Sequence, residues 1–232
     1  MSVFAIGDLH LPGHAEKPMD VFGHQWDRHF ETISENWRAK IGPEDVVLIP
    51  GDISWAMQLE EAKDDLNAIA RLPGQKLLLR GNHDYWWSSV SKLRAALPEG
   101  MYALQNDALR LGGHVFCGTR GWNFPTAQQP LSAQDEKVYQ RELMRLRMSL
   151  DQARKLDGED LTVLMHYPPL FADGLSTAFT DLLEAYGVKR VVYGHLHGAG
   201  IKIGFVGQRE GIVYRLVSCD AVNFDPVCIL EM

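Results

Sequence analysis

Leu77-Leu78-Leu79-Arg80-Gly81-Asn82-His83-Asp84 runs an apolar segment into a glycine and then an amide, an imidazole and a carboxylate, all groups that bind metals or phosphate. The apolar part reads as a buried strand and the glycine as the turn that ends it. The same phrase recurs in Val3-Phe4-Ala5-Ile6-Gly7-Asp8, in Val46-Val47-Leu48-Ile49-Pro50-Gly51-Asp52 and in Val191-Val192-Tyr193-Gly194-His195. Residues 161–165 run into His166 without the glycine. A single glycine after a strand is ordinary turn chemistry. Five strand ends, each carrying polar ligands, predict one shared site.

The rest of the chain sets the frame for that site. At 232 residues and 46% apolar, it is long enough to bury a substantial core, and no shift of composition marks a linker, so a single domain over 1–232 is expected. A formal charge of -7 and a pI near 5.7 argue against a protein that holds nucleic acid through a basic field. A pair of divalent cations would add roughly four positive charges locally, so the overall charge says little about the pocket. Cys117, Cys219 and Cys228 form no CxxC pair and no disulfide framework. The first residues lack a secretory signal, and no apolar run approaches the roughly 20 residues of a membrane helix. A cytoplasmic location without a membrane or a stable nucleic-acid partner is the expectation; the oligomeric state is left open.

Taken in order, residues 2–6 form the first strand, followed by Asp8-Leu9-His10. In an extended segment residues i and i+2 project to the same side, which places Asp8 and His10 to grip one ion together. His195 and His197 form a second such pair. His14 and His24 read as surface or loop residues. Phe22, Trp26, Phe30, Ile33 and Trp37 recur at helical spacing over 21–40, as a core-packing stripe. Residues 45–49 form the second strand. Asp52 after it reads as a bridging carboxylate, because it lies between the groups expected to hold each ion and offers two oxygens. A helix over 59–72 buries Leu59, Ala62, Leu66, Ile69 and Ala70 and turns Glu60, Glu61, Lys63, Asp64 and Asp65 mostly outward. Tyr85-Trp86-Trp87 either stack on a base and close the pocket or pack inward, with at least one in the core.

A short helix over 90–97, strands over 101–104, 108–111 and 114–117, and a hairpin turn at Gly112-Gly113 come next. His114 reads as structural. Residues 119–130, without periodicity, form a candidate substrate-contacting loop. Within it Arg120 is either a phosphate contact or an ordinary surface arginine. A long helix over 133–156 buries Val138, Leu143, Leu146 and Leu150, and a helix over 177–186 is ended by Gly187. Segments 200–205, 211–218 and 227–231 read as strands that complete a sheet.

Together the junctions contribute Asp8, His10, Asp52, Asn82, His83, His166, His195 and His197 in chain order. This order resembles the calcineurin-like metallophosphoesterase superfamily, whose pattern is D-x-H, G-D, G-N-H-[DE], an isolated His and G-H-x-H. The resemblance spans Asp8 to His197. It implies an α/β fold of two packed mixed β-sheets flanked by helices, a four-layer α/β/β/α sandwich, which agrees with the alternation of strands and helices. It also implies that Asp8, His10, Asp52 and His197 hold one ion, and Asp52, Asn82, His166 and His195 the other. Mixed N and O ligands suit Mn, Fe or Zn. The implied activity is hydrolysis of a small phosphodiester or phosphomonoester, of nucleotide type if the aromatic residues line the pocket. A hydroxide made available near neutral pH by two ions about 3.5–4 Å apart would attack phosphorus in line. Asp52 and Asn82 would serve that chemistry as ligands. His83 would stabilise developing charge or protonate the leaving oxygen, its other reading being a structural residue behind the ligands.

Departures from the pattern narrow the choice. Many members carry G-D-x-x-D, whose second Asp orients the His of the third block; here Gly51-Asp52-Ile53-Ser54-Trp55 puts an indole there. His83 then needs Asp84 or another acid as its partner. Purple acid phosphatases place a ligating Tyr at that position, and indole nitrogen is only a donor. A compact protein phosphatase and a catalytically silent, metal-stabilised scaffold stand as alternatives.

Overall fold

The computed structural model describes residues 1–13, 19, 23–126, 130–156 and 160–231. Among the described residues, eleven strands form two sheets. In the first, β1 (Val3–Ala5), β2 (Val46–Pro50), β3 (Gln75–Leu79) and β4 (Met101–Leu104) run parallel, and β11 (Val227–Leu230) pairs antiparallel with β1. The second has the order β5 (Ala108–Leu111), β6 (His114–Thr119), β7 (Leu161–Met165), β8 (Arg190–Tyr193), β10 (Ile212–Leu216) and β9 (Gly207–Arg209). β6, β7, β8 and β10 are parallel, and β5 and β9 are antiparallel edges. Gly112 and Gly113, both at positive φ, make the β5–β6 hairpin turn.

The continuous apolar runs follow from burial on both faces. Val46 and Leu48 point between the sheets with Val3, Ala5, Leu77 and Leu79, where they meet Phe116, Leu164 and Val192. Their neighbours Val47, Ile49 and Leu78 face away, into a core shared with α1 (His29–Lys40), α2 (Leu59–Ala70) and α3 (Val90–Ala96). Cys117, Val163, Val191 and Tyr193 pack on α4 (Ala133–Ala153) and α5 (Ala178–Ala185). The result is the four-layer α/β/β/α arrangement that the sequence predicts. Among the described residues no helix is long and apolar enough to cross a membrane.

Several local expectations are corrected. The helix predicted over 21–40 starts at His29, because Arg28 sits in the left-handed region at φ 52°; a 3₁₀ turn at His24–Trp26 precedes it. Residues 21 and 22, like His14, lie outside the described residues. Segment 200–205 is not a strand, since a 3₁₀ turn occupies Gly198–Ile203, while β9 was not foreseen. Asp65, expected to face outward, is buried and accepts a hydrogen bond from Ser54 Oγ.

Every predicted ligand follows the carboxyl end of β1, β2, β3, β7 or β8, so the parallel strands of both sheets aim at one rim. The sheets are tied there. Gly7 N–H donates to Val217 C=O at 2.6 Å, and Cys219 N–H to Gly7 C=O at 3.0 Å.

Candidate metal centre

β1, β2 and β8 each end in a sharp change of backbone direction. Asp8, His10, Asp52 and His195 have φ of 57°, 45°, 51° and 73°, in the left-handed region that side chains other than glycine rarely enter. The extended geometry assumed for Asp8 and His10 is therefore incorrect, although their side chains still converge. His195 and His197 are not a same-side pair. The turn at His195 sends the two rings to different ligand groups. The neighbouring glycines leave room for this crowding: a Cβ at Gly194 would lie 2.2 Å from Asp8 Oδ2, and one at Gly81 would lie 2.1 Å from Asp52 Oδ1.

The predicted ligands gather in two groups, Asp8 with His10 and His197, and Asp52 with His166 and His195; within each, the ligand atoms lie within 4.8 Å of one another. Asp52 Oδ2 is 3.5 Å from His166 Nε2 and 3.9 Å from His10 Nε2, so it stands between the groups. Asn82 Oδ1 is 2.7 Å from His166 Nε2. His166 Nδ1 is 3.0 Å from the Pro50 carbonyl, which only accepts, so Nδ1 carries the ring proton. Burial lowers the pKa of His166 and favours the neutral ring. Its Nε2 lone pair and Asn82 Oδ1 thus point at the same place, an arrangement that suits a cation. His10 Nε2 and His197 Nε2 also face each other at 3.4 Å beside Asp8, with His197 Nε2 3.4 Å from Asp8 Oδ1. The donor set, imidazoles with carboxylates and an amide, fits borderline transition metals.

Electrostatics agree with that reading. Burial pushes Asp52 up to about 8, with Asp8 adding to the effect, and holds His10 and His195 down at about 3. Burial also opposes the charged form of His197, but its hydrogen bonds to Asp220 and Asp8, which accept, raise it to about 10. Burial works against Asp8 as well, and is outweighed by His197, His166 and His10, which hold it below the usual carboxylate range. Burial thus favours a proton on Asp52, and the neighbouring acids favour one on His197. Metal binding would replace them.

Residues other than the predicted ligands hold those ligands in place. Asp84 accepts from the backbone N–H of Asp52 (2.9 Å), Ile53 (2.8 Å), Ser54 (3.2 Å) and Gly81 (2.7 Å), and from Trp86 Nε1 (3.0 Å). It joins the second and third motif loops, and with five donors on its two oxygens it is not the partner that orients His83. His83 instead lies against Trp55, with ring centroids 4.5 Å apart, and its N–H donates to Asp52 Oδ1 at 2.8 Å. Asp220 accepts from His197 Nδ1 at 2.8 Å and from Gly198 N–H at 2.9 Å, which fixes that ring's tautomer. Asp220 belongs to no motif; its one signal was a carboxylate shortly after an apolar strand.

A pocket of about 110 Å³ opens over the centre, lined by His10, Asp52, His83, His195 and His197 and walled by Met19, Trp26 and Trp55. Trp55 stacks on His10 at 4.8 Å, and Trp26 meets His197 edge-on at 5.6 Å. Of the Tyr85-Trp86-Trp87 run, Trp86 and Trp87 are buried and hydrogen-bonded to Asp84 and Gln105, which leaves only Tyr85 at the surface. The aromatic walls thus come from Trp26, read in sequence as helix packing, and from Trp55. The Arg120 carbonyl accepts from His166 N–H (3.0 Å) and Tyr167 N–H (2.9 Å), while its guanidinium lies over the Trp122 ring and 3.7 Å from Glu142. Arg120 is therefore not the ordinary surface arginine that one reading made it.

Comparison with known proteins bears on this geometry. The family model described as calcineurin-like phosphoesterase matches residues 1–199. The Gene 66 protein of Mycobacterium phage D29 is 39% identical over 85 residues, 36% of this chain and 40% of that protein, so the chain spans less than half of that relative's length. Among solved structures, a protein of unknown function from Aquifex aeolicus aligns with a TM-score of 0.52 at 16% identity over 98% of this chain and 95% of that one. Phosphopantetheinyl hydrolase from Mycobacterium tuberculosis aligns with a TM-score of 0.54 at 18% identity over 94% and 88%. At these identities the two structures share the fold.

Replacing Asp84 by Ala strands five donors, most of them buried, and should cost about 3–5 kcal/mol of unfolding free energy, measured by urea denaturation. Asp84→Asn, which keeps one acceptor oxygen, should fall between Ala and wild type. Gly194→Ala should displace Asp8 and weaken metal binding about 10–100-fold in titrations with Mn²⁺, as expected when a ligand is mispositioned.

Proposed function

We propose that this chain, which belongs to the calcineurin-like phosphoesterase family, is a two-metal phosphoesterase acting on a small phosphate ester. The observation that carries the proposal is the placement of Asp52 between two ligand groups at the floor of one pocket that His83 also lines. Asp8, His10 and His197 would hold one ion, Asn82, His166 and His195 the other, with Asp52 shared. Mn, Fe and Zn all suit these donors. Ions held by these residues would supply positive charge at the phosphoryl oxygens and would make hydroxide available as a nucleophile near neutral pH.

The chain's own residues do the rest. Pro50 C=O and Asp220 hold the rings of His166 and His197 through their Nδ1 protons, which leaves each Nε2 toward the centre. Met19, Trp26 and Trp55 form a dry wall suited to the apolar or aromatic part of the ester alcohol. His83 stands beside that wall and carries the proton given to the leaving oxygen. Trp55, packed on both His10 and His83, fixes the His83 ring by contact at the position where a family carboxylate would do so by hydrogen bonding.

Metal analysis followed by a panel of bis-p-nitrophenyl phosphate, p-nitrophenyl phosphate, cyclic nucleotides and a phosphopeptide tests the reading. Turnover of the small esters by protein loaded with Mn²⁺ is expected. Preference for the phosphopeptide would favour a protein phosphatase, and no hydrolysis under full loading with any of the three metals would favour a scaffold. His83→Ala should lower kcat by about 10²–10⁴-fold while metal content by mass spectrometry stays that of wild type. Loss of metal would instead make His83 a structural residue.

A further inference from the structure

The row of ligand-bearing strand ends does not stop at the metals. In the first sheet β4 lies next to β3, and in the second β6 lies next to β7. One strand beyond Asn82 and His166, about 4.8 Å along each sheet, the carboxyl ends of β3, β4 and β6 line, with α4, a second cleft of about 60 Å³. Arg80, at the end of β3, Arg120, at the end of β6, and Arg145, on α4, line it, with Glu142 as the one carboxylate.

Glu142 is fully engaged. It accepts from Thr119 Oγ1 and Arg145 Nη1, both at 2.6 Å, and lies 3.7 Å from Arg120 Nη2. Among the described residues no carboxylate pairs with Arg80. The Nε atoms of both Arg80 and Arg120 are buried without a hydrogen-bond partner. Among the described residues, three guanidinium groups against one carboxylate, in a chain whose net charge is -7, make a local positive excess that a bound anion would offset. Buried, unpaired N–H donors carry a further cost of the same sign. Guanidinium forks match phosphoryl oxygens in geometry and charge, and the cleft has room for one small anion.

We propose that this cleft is a second anion subsite, which takes a further phosphoryl group of a substrate whose scissile ester lies over the metal centre. The assignment rests on the phosphoesterase reading for the position of the ester. It adds that the substrate carries two phosphoryl groups, as in a bisphosphorylated nucleoside-type ester. Free phosphate has the same chemistry, and the experiment separates the two sources.

Protein loaded with Mn²⁺ is used throughout. Inhibition of bis-p-nitrophenyl phosphate turnover by adenosine 3′,5′-bisphosphate is compared with inhibition by adenosine 5′-monophosphate in wild type, Arg80→Gln and Arg145→Gln. The bisphosphate should bind wild type at least about tenfold more tightly, and that advantage should shrink to within about threefold in both variants. Each value is a ratio within one protein, so damage to the fold or the metals cancels. Equal inhibition by the two nucleotides in wild type, or an advantage that survives both substitutions, overturns the subsite. A calorimetric titration with inorganic phosphate forms the second arm. A second phosphate per chain that Arg80→Gln abolishes, with no bisphosphate advantage in wild type, would give the cleft to free phosphate and overturn the substrate assignment. If wild type hydrolyses neither bis-p-nitrophenyl phosphate nor p-nitrophenyl phosphate under full loading with any of the three metals, the phosphoesterase reading fails by itself; wherever the diester is not turned over, the same nucleotide ratio is read by calorimetry.

Discussion

Three aspartates, Asp8, Asp52 and Asp84, are buried within a few residues of one another's loops, and among the described residues no lysine or arginine pairs with any of them. Buried carboxylates need hydrogen-bond donors or cations. Asp84 is satisfied by N–H groups alone. Asp52 takes the His83 N–H and Asp8 the His195 N–H, and each then faces imidazoles across the gap between the sheets. The remaining oxygens of Asp8 and Asp52 are the charge that the ions would neutralise. Ligand positions therefore depend on the backbone N–H groups that the same loops present, and the two sheets must close on each other for either set to be satisfied.

That dependence explains the glycine that precedes so many ligands. At Gly81 and Gly194 the backbone passes so close to a carboxylate from another loop that a methyl group would overlap it. The absence of a side chain brings a neighbouring aspartate into contact with the N–H groups, and the left-handed turns at Asp8, Asp52 and His195 redirect the loop backbone toward the shared rim. Strain of this kind persists where surrounding contacts over-determine it. Here the contacts are those of the interlocked loops themselves.

The sheets and the ligands were legible because their signals are local. A strand buried on both faces must be apolar at consecutive positions, as in Val46-Val47-Leu48-Ile49, and a short motif keeps its ligands together whatever surrounds it. Four features lay outside that reach. The separate destinations of His195 and His197 depend on a backbone turn at His195 that spacing alone does not reveal. Asp220 meets His197 across 23 residues. Glu142 sits on a helix face that its neighbours mark as solvated, yet it is buried because Thr119 and two arginines surround it. Trp26 and Trp55 belong to segments read as a helix stripe and as a motif departure, and only the packing of β1, β2 and the 3₁₀ turn brings both over one pocket. Each is a long-range consequence of how the layers meet.

The same layering accounts for the arginine cleft. Parallel strands in two stacked sheets deliver their carboxyl ends to one rim, so successive strands contribute successive positions along that rim. Residues from β1, β2, β3, β7 and β8 suit cations, and those at β3, β6 and α4 suit anions, with Arg80 two residues ahead of Asn82 on the same loop. Side by side, the two charge types would hold a polyanion in one orientation, with one phosphoryl group over the metals and another against the guanidinium groups. The apolar wall of Met19, Trp26 and Trp55 stands over the metal centre. A substrate held in this way has its charged groups along the rim and its less polar part against the tryptophans.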